Sequence, residues 1–358
     1  MKHLLVMAAG TGGHVIPGLA VAAEMKQRGW TVSWLGTERG LENRLVPAAG
    51  IALDRLAFSG MRGKGLGGNV VGAFRLLGAF LASARIVGRQ RADAVLGMGG
   101  YVCLPGGWVA WLLRKPLLLV NSDATLLLSN RALAPIARRI AFGFAGDCAR
   151  DVGAKAVVTG NPVRSAIESL PAPAERFAGR AGALRLLVVG GSLGARVLND
   201  TVPQAIALLA PDDRPRVVHQ TGEAMRDAVR AAYEAARIDA DVVAFIDDMA
   251  GRFSDCDVVV CRAGAITVSE LCAAGVAAVL VPFIASTTSH QRDNAEWMAS
   301  RSAAIHLPQG ELSPRRLAEL LGGLTREALL AMATKARALA RPHAAARVAD
   351  EIEAMLAA

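Results

Sequence analysis

Short, largely apolar runs, each followed by glycines or by a stretch of helical periodicity, recur along the whole chain. Leu4–Met7, Thr31–Leu35, Ala94–Leu96 and Pro116–Val120 form one series of predicted strands. Leu184–Val189, Val217–His219, Val242–Phe245, Val258–Cys261 and Ala277–Val281 form a second. Runs this short and apolar suit strands buried on both faces, and their alternation with helical stretches predicts parallel sheets. Each series opens with strand, glycine loop and helix. The fold class is therefore α/β, with two Rossmann-like doubly wound parallel-sheet domains expected to face a cleft. Gly160-Asn161-Pro162 marks the junction between a first domain, 1–161, and a second, 162–341. Pro342 sets off a last helical stretch within 342–358, expected to pack back on the first domain.

Composition narrows the class. Of 358 residues, 53% are hydrophobic and 20% charged, which supports two cores and excludes a disordered chain. The five cysteines (Cys103, Cys148, Cys256, Cys261, Cys272) contain no C-x-x-C, so neither a disulfide framework nor a zinc ribbon is expected. The uncharged stretch 94–113 is long enough to raise a membrane span, but Gly97-Met98-Gly99-Gly100-Tyr101 interrupts it as a turn does, and it reads as strand, loop and buried helix. No amino-terminal stretch has the length of a signal sequence.

Charge is unevenly spread. Residues 1–162 hold 19 Lys and Arg against 8 Asp and Glu, a net +11; the remainder holds 21 against 23, a net −2. A basic, apolar half that is poor in aromatic residues points to an anionic surface. Nucleic acid is the weaker choice, because RNA-binding aromatic motifs, zinc fingers and arginine-rich tails are all missing. The stretch 69–91 mixes apolar residues with Arg75, Arg85, Arg89 and Arg91; Arg62 and Lys64 precede it, and Trp108, Trp111, Arg114 and Lys115 follow. Such a surface suits anionic phospholipid, although most of its apolar residues must serve the core.

Three glycine loops follow predicted strands: Gly10-Thr11-Gly12-Gly13-His14, Gly97–Tyr101 and Gly190-Gly191-Ser192-Leu193-Gly194. Glycines there let backbone N–H groups approach an anion, and three such loops favour a ligand with several phosphates. None is a P-loop, because G-K-[ST] is missing. A fourth constellation runs from Cys261 to Glu270. A helix beginning near Gly264 would turn the N–H groups of Ala265, Ile266 and Thr267 toward a diphosphate, and Glu270 would accept ribose hydroxyls. His14, at the edge of the first sheet, or a carboxylate of the site is the candidate general base. Asp255-Cys256-Asp257 precedes a strand and reads as solvated turn residues, with no metal expected.

Taken together, GTGGHVIPGLAVA (10–22), GMGGY (97–101), TGNPVR (159–164), GGSLGARVLN (190–199), HQTG (219–222), FIDDM (245–249), RAGAITVSELCAAG (262–275) and HQRDNA (290–295) resemble the MurG family of N-acetylglucosaminyltransferases. The resemblance spans nearly the whole chain. It implies the GT-B fold and an inverting transfer of N-acetylglucosamine from UDP-N-acetylglucosamine to undecaprenyl-diphospho-N-acetylmuramoyl-pentapeptide (lipid I), giving lipid II. No cofactor is implied. The implied partners are the two substrates, anionic phospholipid on the cytoplasmic face of the bacterial inner membrane, and other proteins of cell-wall synthesis.

Carried over by position, Arg164 and Ser192 would contact the donor's phosphates and Ile246 the uracil through its backbone. Ala265, Ile266 and Thr267, continuing into Val268 and Ser269, would hold the diphosphate; Glu270 would hold the ribose and Gln291 the sugar hydroxyls. Thr11, Gly12 and Gly13 would lie against substrate phosphates, beside His14. The chain departs from the family's H-E-Q-N, showing Val120-Asn121-Ser122-Asp123, so Asp123 aligns with a sugar-contacting Asn and can accept a hydrogen bond but not donate one. Two rival readings are a UDP-sugar 2-epimerase of the same fold, which has no use for a basic apolar patch, and a non-catalytic nucleotide-sugar-binding protein.

Overall fold

A computed structural model describes residues 1–357 apart from 11, 58–65, 192–193 and 284–289, and for residues 66–75 the backbone alone. Thr11, Arg62, Lys64, Ser192 and Leu193 lie outside the described residues, as do the side chains of Val70, Val71, Phe74 and Arg75. The chain divides into two compact units, Met1–Val163 with His343–Ala358, and Arg164–Pro342.

The first unit is built on a seven-stranded parallel sheet of β1 (His3–Ala8), β2 (Thr31–Thr37), β3 (Ala52–Leu56), β4 (Ala94–Gly99), β5 (Leu117–Asn121), β6 (Arg139–Phe142) and β7 (Ala156–Val158), in the order 3-2-1-4-5-6-7. Side chains alternate across β1. Leu4, Val6 and Ala8 join a core with the Gly12–Gln27 helix and with Val348, Ile352 and Met355 of the Ala344–Ala357 helix. Leu5 and Met7 face the opposite core, with Val87 of the Leu66–Gln90 helix and Val109 of the Cys103–Leu112 helix. Burial on both faces is why β1 reads as an unbroken apolar run. The last helix is also held to the first by Arg28, which ion-pairs with Asp350 at 2.7 Å and Glu353 at 2.9 Å.

The second unit carries six parallel strands, β8 (Arg185–Val189), β9 (Arg216–Gln220), β10 (Ala240–Val243), β11 (Val258–Cys261), β12 (Ala277–Leu280) and β13 (Ile305–His306), in the order 10-9-8-11-12-13. Strand by strand this repeats the 3-2-1-4-5-6 order of the first unit, the dinucleotide-fold order in which the first and fourth strands flank the reversal point. Loops leaving the carboxyl ends of β1 and β4, and of β8 and β11, are where an open α/β sheet of this order binds ligands.

Three sequence expectations are corrected. Strand β10 ends at Val243, two residues before Phe245, because Ala244 O turns to accept the Gly222 N–H at 3.1 Å. Gly12, Gly13 and His14 form the first turn of a helix rather than a loop. Asp257 is not a solvated turn residue: it is fully buried and accepts from Arg180 Nη1 (2.6 Å), Arg185 N (2.9 Å) and Arg326 Nη2 (3.3 Å). Burial of that carboxylate is tolerable because donors surround it. Among the described residues no cluster of three or more His, Cys, Asp or Glu is placed to hold a metal ion, and no helix is long and apolar enough to cross a membrane.

Candidate functional site

The first unit gathers its candidates at the carboxyl ends of β1 and β4. His14 Nδ1 lies 3.3 Å from Ala9 O. A carbonyl only accepts, so Nδ1 bears the hydrogen and Nε2 is left with its lone pair. Burial pushes the His14 pKa below its ordinary 6.5, while the Ala9 contact and the charges of Asp123 and Glu42 oppose that shift. The ring is neutral near pH 7 and available as a base. Gly99, at φ +121°, supplies the floor: a Cβ there would stand 2.6 Å from His14 Cδ2 and 2.7 Å from Nε2. The loop is pinned from below by Cys103, whose Sγ accepts from Gly99 N and donates to Met7 O.

Asp123 is brought to this group by the β5 loop, close enough for its charge to act on His14. Asn121, at the position of the family's Glu, has a different job. It is fully buried, and its amide donates to Asp123 O (2.8 Å) and Thr125 O (3.0 Å) while Oδ1 accepts from Leu127 N and Asn130 Nδ2, both at 3.1 Å. Four bonds spend its amide on shaping the 121–127 loop.

In the second unit the site begins at β11. Gly264 caps the Ala265–Ala274 helix, whose first intrahelical bond runs from Val268 N to Gly264 O at 2.9 Å. The N–H groups of Ala265, Ile266 and Thr267 precede that bond, so the helix end presents donors and a partial positive charge to an anion. Asn294, fully buried in the His290–Ala299 helix, fixes the approach by donating to Ala263 O at 3.1 Å. Val268 lies fully inside, and Ser269 follows it on the same helix.

Arg164 and Glu270 meet directly: Nε reaches Oε1 at 2.8 Å and Nη2 reaches Oε2 at 2.9 Å. The family resemblance implies separate duties for these residues; the structure joins them in one bidentate pair, which fixes the buried carboxylate and leaves it further lone pairs for a ligand. Gln291 accepts from Phe283 N at 2.9 Å. Ile246, 7% exposed, follows β10. After β8, Gly194 N donates to Gly191 O at 2.8 Å, and at φ +75° a Cβ on Gly194 would fall 1.9 Å from Thr221 O. Among the described residues, His14 and Asp123 thus share one site of the first unit, and 264–270 shares another with Arg164 in the second.

Sequence reasoning missed Glu42, a fully buried carboxylate that accepts from Gly10 N at 3.0 Å. It also missed the layer behind the glycines after β8, where His219 Nε2 meets Asn199 Oδ1 at 3.1 Å and Asn199 donates to Thr221 O at 3.0 Å. No local signal marks Glu42; His219 and Asn199 lie at the ends of the HQTG and GGSLGARVLN stretches.

Comparison with known proteins agrees in both halves. The glycosyltransferase family 28 N-terminal domain matches residues 4–142, and the glycosyltransferase family 28 C-terminal domain matches 185–352. A UDP-N-acetylglucosamine--N-acetylmuramyl-(pentapeptide) pyrophosphoryl-undecaprenol N-acetylglucosamine transferase of Methylibium petroleiphilum is 68% identical, over 99% of this chain and 98% of that one. The crystal structure of Acinetobacter baumannii MurG superposes with a TM-score of 0.85 at 37% identity, covering 99% of this chain and all of that one. A UDP-GlcNAc 2-epimerase from Neisseria meningitidis matches at TM-score 0.67 and 12% identity, over 99% of this chain and all of that one, a likeness of fold alone.

Proposed function

Because the chain belongs to the UDP-N-acetylglucosamine--N-acetylmuramyl-(pentapeptide) pyrophosphoryl-undecaprenol N-acetylglucosamine transferase family and is a hexosyltransferase, we propose that its two sites divide one inverting sugar transfer between them. The reaction moves N-acetylglucosamine from UDP-N-acetylglucosamine to lipid I and yields lipid II. The second unit holds the donor. Its helix end at Ala265–Thr267, with Ser192, receives the diphosphate, Glu270 held by Arg164 accepts the ribose hydroxyls, the backbone at Ile246 reads the uracil, and Gln291 meets the sugar. The first unit holds the acceptor, with Thr11, Gly12 and Gly13 against its phosphates and Asp123 accepting from a sugar hydroxyl.

In the transfer, the muramoyl 4-hydroxyl oxygen bonds to the anomeric carbon as the bond from that carbon to the UDP oxygen breaks. The electron pair leaves with UDP, and the hydroxyl proton passes to His14 Nε2. Helix N–H groups and dipole stabilise the charge that grows on the leaving diphosphate. The contact of His14 Nδ1 with Ala9 O, which leaves Nε2 as an acceptor at the β1–β4 reversal point, is the observation that carries this reading. An epimerase has no acceptor hydroxyl to deprotonate.

The acceptor is anchored in a bilayer, so we place the enzyme peripherally on the cytoplasmic face of the inner membrane. Exposed Leu77, Leu81, Trp111 and Leu112 accompany Arg85, Arg91, Arg114 and Lys115 on two packed helices and their ends. Apolar side chains beside cations suit anionic phospholipid. The test is to incubate purified protein with UDP-N-acetylglucosamine and a lipid I analogue and to assay disaccharide product. Product with release of UDP is expected; UDP binding without product would reject the transfer.

A further inference from the structure

Glu42 stands at the start of the Glu42–Ala48 helix with no solvent exposure, and among the described residues no Lys or Arg pairs with it. A buried carboxylate without a cation is costly unless donors replace its water. Here they do. Oε1 accepts from Thr37 N at 3.1 Å and lies 2.7 Å from Thr37 Oγ1, while Oε2 accepts from Gly10 N at 3.0 Å. Space for it is reserved: a Cβ on Gly36 would stand 2.8 Å from Glu42 Cγ, and one on Gly40 2.3 Å from Oε2.

The Gly10 N–H that binds Glu42 and the Ala9 C=O that binds His14 belong to the same peptide group. This amide is trans, so the two contacts leave it in opposite directions. Carboxylate, amide and imidazole therefore form a single chain: Glu42 Oε2 to Gly10 N–H, Ala9 C=O to His14 Nδ1–H. A carboxylate on the N–H side polarises the amide and makes its oxygen a stronger acceptor, as in any hydrogen-bonded chain. Gly10 O is tied as well, accepting from Leu41 N at 3.1 Å, so the start of this helix, Leu41 with Glu42, grips both polar groups of Gly10.

We propose that Glu42 is a positioning residue that acts on His14 through the Ala9–Gly10 peptide, fixing the Nδ1–H tautomer and stabilising the imidazolium formed when Nε2 takes the acceptor's proton. The arrangement does the work of a carboxylate bonded directly to a catalytic histidine, with one peptide group interposed. No proton leaves Nδ1 and none reaches Glu42. This inference rests on His14 being the base, and its test keeps the two apart.

Glu42→Gln nearly preserves volume but presents either a single acceptor oxygen or an N–H donor to Gly10 N–H. In the full chain, the His14 titration midpoint read by NMR should move down by about half a unit to one unit, because a negative charge is lost from its surroundings. The kcat plateau should fall about 2- to 5-fold as the base weakens, with the acid limb following the midpoint and the KM for UDP-N-acetylglucosamine staying within about twofold. A strut with no electrical role would lower thermal stability and leave the midpoint where it was; an unchanged midpoint in folded Glu42→Gln overturns the proposal. If that variant does not fold, wild-type protein decides: the Gly10 amide resonance should titrate with the His14 midpoint, and a flat Gly10 resonance overturns the relay. Separately, His14→Gln that keeps its kcat would reject the base assignment, whereas the titration results judge the relay alone.

Discussion

The two units share a strand order and a glycine loop after the first strand, yet they use a histidine in opposite ways. In the first, His14 follows the β1 loop, bonds one ring nitrogen to Ala9 O and keeps Nε2 as an acceptor. In the second, His219 sits in β9, next to β8, with no exposure and both nitrogens engaged. Its Nε2–H donates to Asn199 Oδ1 at 3.1 Å, and its Nδ1 accepts from the Tyr233 hydroxyl at 3.0 Å. The second ring is a strut that holds Asn199 under Thr221, against which Gly194 packs. Charge differs as sharply. The first unit has 20 Lys and Arg against 11 Asp and Glu, a net +9, and the second has 20 of each, a net zero. One topology thus carries a histidine with an open ring nitrogen on a basic body and, separately, an uncapped helix end on a neutral one. Chemistry resides in what the loops hold, and the sheet order decides only where.

The sharpest way to break this contrast is His14→Ala. If His14 is the general base, kcat should fall about 10²- to 10⁴-fold, while calorimetric affinity for UDP, proposed to bind the second unit, stays unchanged. A variant that loses UDP binding equally would erase the division of labour. The wild-type pH profile has a defined sign. As the proposed base His14 would act neutral, and burial holds its pKa below 6.5, so kcat should persist down to that pKa and fall only in more acid solution.

His219 predicts a stability effect instead. Its folded pKa is held near 4, against 6.5 for an exposed histidine, by desolvation. Between those values the unfolded chain binds a proton that the folded chain refuses, so stability is complete above about pH 6.5 and declines as the pH falls toward about 4. The interval corresponds to about 3 kcal/mol. In His219→Asn the loss should be absent, so the gap between wild type and variant, read from exchange of β8 and β9 amides, should narrow by that amount from pH 7 to 4. A constant gap would show that His219 titrates normally.

The legible part of this molecule is the part written locally. Continuous apolar runs with no charge mark β4, β5, β11 and β12, and glycines after β1 and β8 mark the loops. Strand β3, Ala-Leu-Asp-Arg-Leu, is only partly buried and pairs with β2 alone, so its pattern carries charges and escapes notice. Strand β13 has two residues, too few for any period. Asp257 and Glu42 look like solvent-facing acids in a turn and at a helix start. What buries them is a partner dozens of residues away, Arg180 or Gly10, and no spacing rule encodes that. The Arg164–Glu270 pair was present in the sequence as two motifs; their contact across 106 positions was not.

That pair supplies the next test. Glu270→Ala removes the proposed acceptor of the ribose hydroxyls and leaves Arg164 without its partner, so UDP affinity should weaken by about 10- to 100-fold, the worth of hydrogen bonds to a charged group. At saturating donor, kcat should change little, the reverse of His14→Ala. Unchanged affinity would remove Glu270 from the donor site and leave the pair as a strut between Arg164 and the Ala265–Ala274 helix.

The smallest effect concerns the +9. If the basic excess serves a membrane, it must be spent near exposed apolar side chains rather than spread over the unit. Arg91 and Arg114 satisfy this: each follows the end of one of two packed helices, at φ +49° and +56°, the helices that expose Leu77, Leu81, Trp111 and Leu112. Asn tolerates a left-handed backbone and carries no charge, so Arg91→Asn with Arg114→Asn removes two cations at little conformational cost. At about 1 kcal/mol per cation near an anionic surface, partition onto vesicles containing phosphatidylglycerol should drop by about 10- to 30-fold, and partition onto phosphatidylcholine should not change. Turnover of a short-chain soluble acceptor should also hold, because the sites at β1 and β11 are untouched. If binding to both vesicle types falls alike, these arginines serve the fold, and the charge of the first unit needs another partner.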